Sequence, residues 1–497
     1  MDFADQLILE LDAAPSWPLP RETHAITQAL DGRAIRRGDA DDLKRLAGFD
    51  ADRRLYVDPL GRRIAFGFAD FLFSEPTELI AAADGTQDEL DAFADTNGLQ
   101  ARLHRAARVS VSEGEVWWKL HTNVAVADTA MVRFCSRRDV VPLLDGDMVL
   151  AAAFVTERGR TAPSDEEAEK GVETVVFRHA EVHTAGRVVN VLYRGTPETL
   201  GRRVELTARP ETAMLAEALD HGLPMWAGRI VNDLDDDDTM GVSEYQAVGD
   251  LLVALCEAVT IGVENARLTG QDRVMVAGKL RRADGSFDAS MQVFETEADG
   301  GTLGESAGSP PVLAIEKRYD AEPLWMHIRQ LVHTILSRVG LVVQLIGQDE
   351  GGKAETGTAI RLRFMPTQQA SKGKVREFTN GIATFTALSL AIAGLEQAKG
   401  GFGRSIGGDA LTELPAVEFG NPIPVDEHER TNDLAVAVTG EIMSRETAVR
   451  EQHMDWSDEQ VADELRRIRE DLSGADPAPV VSSPDGDPDP LPDPLEA

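Results

Sequence analysis

The spacing of apolar residues divides the chain into helical and extended stretches. Met1 to Gly38 opens with a short amphipathic piece, passes Pro15, Pro18 and Pro20, and continues as a helix. Arg54 to Asp58 reads as a strand and Ile64 to Leu72 is strongly apolar. Thr86 to Arg108 has helical spacing: Leu90, Phe93, Leu99 and Leu103 form a stripe, and Thr86 with Glu89 forms a capping box. From Val109 the period falls to two. Strands are expected at Val109–Val111, Glu115–Leu120, Met131–Phe134 and Met148–Val155, with a hairpin from Glu173–His183 and Arg187–Tyr193, and a shorter strand over Arg203–Leu206. An antiparallel sheet flanked by helices follows.

A second long helix is predicted over Gly241–Thr269. Tyr245, Val248, Leu252, Leu255, Val259, Gly262 and Ala266 recur at alternating steps of three and four, a seam for another helix, from this chain or from a neighbouring subunit. Short strand candidates at Val274–Val276, Met291–Phe294 and Val312–Ile315 interrupt the helical pattern, which resumes at Leu324–Val339. An apolar segment, Leu341–Ile346, leads to a polar hinge and a helix from about Thr358, which Pro366 should kink by removing one backbone donor. Gly400–Gly408 ends that helix, and Ala416–Phe419 is strand-like. Asp426 with Glu429, Ser444, and Ser457 with Gln460 start three short helices, the last with Val461, Leu465, Ile468 and Leu472 on one face. From Gly474 the chain is rich in Pro and Asp with few large apolar residues, and is expected to be disordered.

Charge sharpens one stretch. The chain of 497 residues carries a formal charge of -35, so its surface as a whole repels polyanions and anionic membranes. Against that background Arg361, Arg363, Lys372, Lys374 and Arg376 form a basic cluster on one helix. Two readings stay open from spacing alone: ion pairing with the acidic bulk, or contact with a polyanion. By contrast, Arg and Asp are nearly balanced over Asp39–Ala83, which reads as a packed domain edge.

Signatures of chemistry are weak. Cys135 and Cys256 are the only cysteines and form neither a disulfide framework nor a metal pair, as expected of core thiols in a reducing compartment. The first residues lack a basic signal-peptide region, and no apolar run approaches 18 residues. His179 and His183 lie four apart on an expected strand, about 13 Å at ~3.3 Å per residue, too far to share one ion. Asp233–Asp238 lacks the ligand order of a calcium loop. Gly400–Gly408 fits neither a dinucleotide nor a Walker pattern. No catalytic motif, cofactor site or metal site is assigned, and the expectation is a protein that is not an enzyme. The different-class alternatives are a metal-dependent nucleic-acid-processing enzyme and a general oligomeric scaffold without DNA contact.

Four stretches in order carry a family likeness. They are Phe177-Arg-His-Ala-Glu-Val-His183 with Gly186-Arg-Val-Val-Asn-Val-Leu-Tyr-Arg-Gly195, and Ile230-Val-Asn232 with Gly241-Val-Ser-Glu-Tyr245. Glu355-Thr-Gly-Thr-Ala-Ile-Arg361 follows, then Ser444-Arg-Glu-Thr-Ala448 with Asp455-Trp456 and Glu464-Leu-Arg-Arg-Ile468. Together, over about Asp39–Leu472, the chain resembles the portal (connector) proteins of tailed double-stranded DNA phages, in the siphophage-type branch.

The resemblance implies an α+β portal fold: an α/β wing, a helical stem, a small β-containing clip and a helical crown, in a ring-forming subunit. It places an N-terminal segment at 1–38, the wing at 39–240, stem helices at 241–270 and 319–340, and the clip at 271–318. A tunnel loop follows at 341–357, a long kinked helix at 358–399, a wing return at 400–425, the crown at 426–473 and the acidic tail at 474–497. Tunnel-loop residues would be Gly347, Gln348, Asp349, Glu350, Gly351, Gly352, Lys353 and Glu355. Candidate DNA contacts are Lys353, Arg361 and Arg363, and candidate clip docking residues are Arg281, Arg282 and Asp284. Implied partners are eleven further copies of the chain in a twelve-membered ring, duplex DNA, the terminase large subunit, the head–tail adaptor, and major capsid and scaffolding proteins, with no membrane. The implied location is the portal vertex of a virion, after synthesis in the host cytoplasm.

Overall fold

The computed structural model describes residues 2–83, 85–169, 171–234, 239–269, 274–277, 293–296, 312–314, 321–347, 357–405, 410–420, 427–453 and 456–474. They divide into two units, 1–353 with 362–422, and 354–361 with 423–497.

The first unit begins with helices α1 (Phe3–Asp12), α2 (Thr23–Arg37), α3 (Ala40–Ala47) and α4 (Leu60–Phe73). Residues 54–58 are irregular and not a strand. Their backbone donors are taken by side chains of a later helix: Tyr56 N–H by Thr260 Oγ1 (2.9 Å) and Asp58 N–H by Cys256 Sγ (3.4 Å). After β1 (Glu78–Ile80) come α5 (Gln87–Asn97) and α6 (Leu99–Glu113), two helices where the sequence suggested one. Gly98 separates them in a left-handed conformation at φ 52°. Thr86 does not cap α5. Its backbone is helical, and its hydroxyl donates back to the Ala83 carbonyl while Glu89 pairs with Arg404. Helix α6 runs through Val109–Val111, because Leu103, Ala106, Ala107, Ser110 and Val111 all bury on its inner face.

The sheets follow. β2 (Glu115–His121), β3 (Met131–Ser136), β4 (Val140–Asp145) and β5 (Met148–Thr161) precede the short helix α7 (Asp165–Glu169). Next are β6 (Val175–Thr184), β7 (Arg187–Thr196), β8 (Thr199–Val204), β9 (Ala218–Asp220) and β10 (Ala227–Val231). β4 to β8 form a six-stranded sheet with its sixth strand, β9, on β7. The β6–β7 hairpin has Thr184 opposite Arg187, as the Thr-Ala-Gly turn predicted. A separate antiparallel sheet has the order β10–β2–β3. The strand expected at Arg203–Leu206 ends at Val204, where a 3-10 turn takes over.

Helix α8 (Gly249–Thr269) starts eight residues later than predicted. Backbone donors in the intervening segment are committed elsewhere: Val242 N–H to the Asp233 carbonyl (2.8 Å) and Glu244 N–H to the Val111 carbonyl (3.0 Å). Strands β11 (Val274–Ala277), β12 (Val293–Thr296) and β13 (Val312–Ala314) form a sheet of order β12–β11–β13, and α9 (Glu322–Val339) follows. Helix α8 packs on α9, and the predicted seam is filled within the chain from Tyr245 to Val259, while Gly262 is half-buried and Ala266 exposed. Tyr245, Val248, Leu252 and Leu255 share a core with Leu60, Ile64 and Phe68 of α4 and with Ile328, Val332, Ile335 and Leu336 of α9.

Helix α10 (Gly357–Gly394) continues past Pro366 and ends before the glycine run predicted to stop it. Its later half is the centre of the largest core: Phe378, Ile382, Phe385 and Leu388 pack with Trp118, Trp226, Phe93 and Leu103. β14 (Ala416–Glu418) returns to pair with β1.

The second unit contains α11 (Glu427–Thr439), α12 (Arg445–Gln452) and α13 (Asp458–Gly474), packed in sequence. Ser444 accepts from Thr447 N–H, and Ser457 and Gln460 cap each other reciprocally, as predicted. The expected cap at Asp426 and the expected disorder over 475–497 lie outside the described residues.

Candidate functional site

The basic helix α10 is the natural place to look for a polyanion contact, and its charges separate by burial. Lys374 is a core residue with 5% of its side chain exposed. Its ammonium pairs with Glu244 and stands 4.9 Å from the centre of the Phe68 ring. Glu244 also accepts from Asn232 Nδ2 (3.2 Å), so Lys374 anchors the irregular segment that leads into α8. Lys372 and Arg376 are exposed, and Glu377 beside them has its pKa raised by burial against the opposing pull of Arg229 and Arg376. Arg361 and Arg363 are exposed near the start of the helix, next to the exposed apolar side chains of Leu362 and Met365. Of the basic cluster, Lys374 therefore follows the ion-pairing reading, while Arg361 and Arg363 lie at the surface of the chain.

Gly347 closes the 3-10 turn Val343–Ile346 at φ 75°. The other tunnel-loop candidates (Gln348, Asp349, Glu350, Gly351, Gly352, Lys353 and Glu355) and the clip candidates (Arg281, Arg282 and Asp284) lie outside the described residues. The structure thus brings none of the predicted site residues into a common cluster among the described residues. It does tie the chain leading to them. Thr367 Oγ1 on α10 donates to the Gly340 carbonyl (3.0 Å) and accepts from Val342 N–H (3.1 Å), which fixes the end of α9 against α10.

The histidine pair belongs to a buried polar network. His183 Nε2 lies 2.7 Å from Glu181 Oε1, Lys119 donates to the other oxygen of Glu181, and His179 Nε2 lies 2.9 Å from Asn190 Oδ1. Burial alone would raise the Glu181 pKa, but Lys119 and His183 hold it well below the carboxylate range. Both thiols sit where burial raises their pKa, which suits protonated core cysteines. Among the described residues, no group of three or more His, Cys, Asp or Glu is placed to hold a metal, and no helix is long and apolar enough to cross a membrane.

The family model for phage portal proteins, SPP1 Gp6-like, matches residues 59–478. The chain belongs to this portal family. No curated protein matches it. Solved structures similar to this portal chain include one from the virion of a native gene transfer agent particle, at 11% identity and TM-score 0.44, covering 91% of this chain and 99% of that one. Another is from the neck of the native particle computed with C12 symmetry, at 12% identity and TM-score 0.43, with the same coverages of 91% and 99%. A third is from the neck of the empty particle computed with C6 symmetry, at 12% identity and TM-score 0.43, covering 80% and 90%.

Acid sensitivity is expected in the core beside β9 and β10 of this portal chain. His221 stacks on Trp226 (centroids 4.3 Å, planes 20° apart), and its Nδ1 accepts the Leu223 N–H at 3.1 Å. A proton on Nδ1 would break that bond. Burial, then the neighbouring His183, lowers the His221 pKa from 6.5 to about 4. A folded pKa below the unfolded one means that the stabilisation is complete above pH 6.5 and is lost as pH falls towards 4. The melting temperature is expected to drop across that window, and His221→Asn to flatten the slope. His121 and His179 are also shifted downward by burial, so part of the slope should remain. An unaltered pH profile in the variant would refute the assignment.

Proposed function

We propose that this portal chain is one subunit of a twelve-membered ring at a single capsid vertex of a virion. The ring is the conduit for duplex DNA during packaging and ejection, and the docking platform for the terminase large subunit and later the head–tail adaptor. The role is structural and needs no cofactor or catalytic step. The observation that carries the reading is the family match over residues 59–478. The order of elements supports it: α8 and α9 pack together as a helix pair, and the three-stranded sheet β11–β13 lies between them in the chain. In this reading residues 39–240 form the wing, α8 and α9 the stem, 271–318 the clip and 341–357 the tunnel loop, while 426–473 belong to the crown. Electron microscopy of the purified protein tests it. Rings with an axial channel wide enough for a duplex, about 20 Å or more, are expected; monomers under packaging conditions would count against it.

An acidic wall keeps a moving duplex centred, because phosphate contacts release counterions and bind strongly. Only shallow contacts are compatible with transport. Lys353, Arg361 and Arg363 supply them in this reading. Arg361→Ala with Arg363→Ala should lower packaged or retained DNA by roughly threefold at low salt, and the difference should close as salt rises. Lys374→Met should instead weaken the fold at every salt concentration. Equal packaging by the double variant and the wild type across the salt series would remove Arg361 and Arg363 from the channel.

A further inference from the structure

A strongly acidic chain gathers six arginines on one surface and gives only two of them a carboxylate partner within 4 Å among the described residues. Arg33 and Arg36 stand on α2, Arg62 on α4, Arg105 and Arg108 on α6, and Arg138 in the turn before β4. The helices bring them together because α2 crosses α6 at Gly32, where an added Cβ would lie 1.7 Å from the Ser112 carbonyl oxygen. Arg36 joins the two halves, acting on Arg33 on one side and on Arg108 on the other. Arg36 pairs with the buried Glu113 at 3.0 Å and Arg138 lies 3.4 Å from Asp139. Arg33, Arg62, Arg105 and Arg108 make no ion pair among the described residues. The guanidinium groups of Arg62 and Arg108 both lie over the Phe66 ring, 5.1 and 4.4 Å from its centre. Nε of Arg36 and of Arg108 is buried without a hydrogen-bond partner. Burial first, and then neighbouring arginines, depresses the pKa of Arg33 and Arg108, against a weaker opposing pull from Glu113 on Arg33 and from Asp70 on Arg108. Partly desolvated like charges at close range are costly, and a carboxylate or phosphate partner would relieve that cost.

The same unit carries a surface of the opposite kind. In the β1–β14 ribbon Glu78 stands directly opposite Glu418, and both are exposed. Glu75 packs beside Gly420 at the end of the ribbon. Like charges facing each other across an antiparallel pair destabilise it, and none of the three glutamates makes an ion pair among the described residues. Arg62 is in the first turn of α4 and Glu75 lies just beyond its last residue, Phe73, so the two surfaces are separated by about 20 Å of helix at ~1.5 Å per residue.

A ring is built from heterologous contacts, in which one patch of a subunit meets a different patch of the next. We propose that the arginine face over α2, α4 and α6 docks on the Glu75, Glu78 and Glu418 ribbon of the neighbouring copy. The proposal rests on the ring reading given above. The chain's charge of -35 favours this occupant over a free duplex. Long-range repulsion opposes DNA, and it equally demands that two copies meet where their charges are locally matched. Arginine suits the task because its planar fork binds carboxylates bidentately and stacks on aromatic faces, as it does here on Phe66.

Charge exchange tests the contact in the full-length protein. Arg62→Glu with Arg105→Glu should reduce the ring population at least tenfold at low salt, read by light scattering and microscopy. Glu78→Arg with Glu418→Arg should do the same. All four changes in one chain should restore rings, because every interface then carries the reversed pair. Circular dichroism melts report whether each variant folds, and Arg62→Gln with Arg105→Gln provides a milder version with a partial loss. Rings at wild-type yield from either reversed pair, or no rescue in the fourfold variant, would overturn the proposal. Duplex binding by the wild type that the Arg62 and Arg105 changes abolish would assign the face to nucleic acid instead. If the wild type forms no ring at all, the ring reading itself fails and this contact falls with it.

Discussion

Replacing Arg137 by methionine is expected to destabilise the first unit by about 3–5 kcal/mol, measured as a shift of the denaturation midpoint. Arg137 has 5% of its side chain exposed and lies where three layers meet. It pairs with Glu22 at the start of α2, places Nε 2.8 Å from Glu115 Oε1 on β2, and donates to the Val140 carbonyl on β4. Glu115 is also held by Trp117 Nε1 (2.9 Å) and Arg229 (3.2 Å), and Glu22 by Arg21 (3.1 Å). Removing the central guanidinium leaves two buried carboxylates short of a partner, and that desolvation penalty dominates the loss of any one bond. The residual partners place the effect towards the lower end of the range. Neutralising both acids as well, with Glu22→Gln and Glu115→Gln, should recover part of the loss, because the cost lies in the unpaired charges. A single-variant loss below about 1 kcal/mol, the scale of an exposed pair, would show that the network is not the anchor described.

Much of the fold was legible because strong periodic signals were also the ones that packing used. The seam from Tyr245 to Leu255 predicted a helix partner, and α4 and α9 fill it. The β6–β7 hairpin followed from its turn. Misread stretches share a different cause. Val109–Val111 looks extended in a short window, but the small residues Ala106, Ala107 and Ser110 carry the burial of α6, and small side chains give little periodic contrast. β4 is missing from the predicted strands, and its Pro142 cannot donate to a sheet ladder. It is an edge strand of its sheet, where proline is tolerated. Lys374 could not be separated from Lys372 or Arg376, because its partner Glu244 is 130 residues away in sequence.

The arginine face was hidden by averaging. Over Asp39–Ala83 the basic and acidic counts nearly balance, a pattern that suits a packed domain edge. The fold sends Arg62 to one end of α4 and leaves Glu75 and Glu78 beyond the other, so a balanced count becomes two separated surfaces. One local signal was available. Arg102, Arg105 and Arg108 recur every three residues, a spacing that aligns side chains on one helix face. The predicted helix already contained these three arginines, but the face that Arg105 and Arg108 share with Arg33, Arg36 and Arg62 depends on the packing of α2 and α4 beside α6, which local spacing does not report.

Gly114→Ala is expected to be the most damaging single substitution near the entry to α8. Gly114 ends α6 at φ 93°, outside the regions open to other residues, and its added Cβ would lie 2.2 Å from the Gly241 carbonyl oxygen. Gly241 faces it in the same way, with its own Cβ position 2.2 Å from the Gly114 oxygen. These two backbones touch because Asn232 N–H donates to the Gly114 carbonyl (2.8 Å) while Gln28 Nε2 donates to the Gly241 carbonyl (3.1 Å). The contact routes the chain from β10 past α6 into α8, so a side chain there must part the helical and sheet layers. Backbone strain of about 1–3 kcal/mol and overpacking of about 1–3 kcal/mol act together, giving an expected loss of about 3 kcal/mol or more. Gly171→Ala supplies a closer control. It also has a positive φ beyond the usual left-handed region, 82°, but nothing lies within 4 Å of its added Cβ, so only the strain term applies. Denaturation midpoints of the two variants separate the effects: near-equal losses would mean that the Gly114–Gly241 contact yields easily, and a much larger loss for Gly114→Ala identifies it as the fixed point from which the long helices leave the sheet domain.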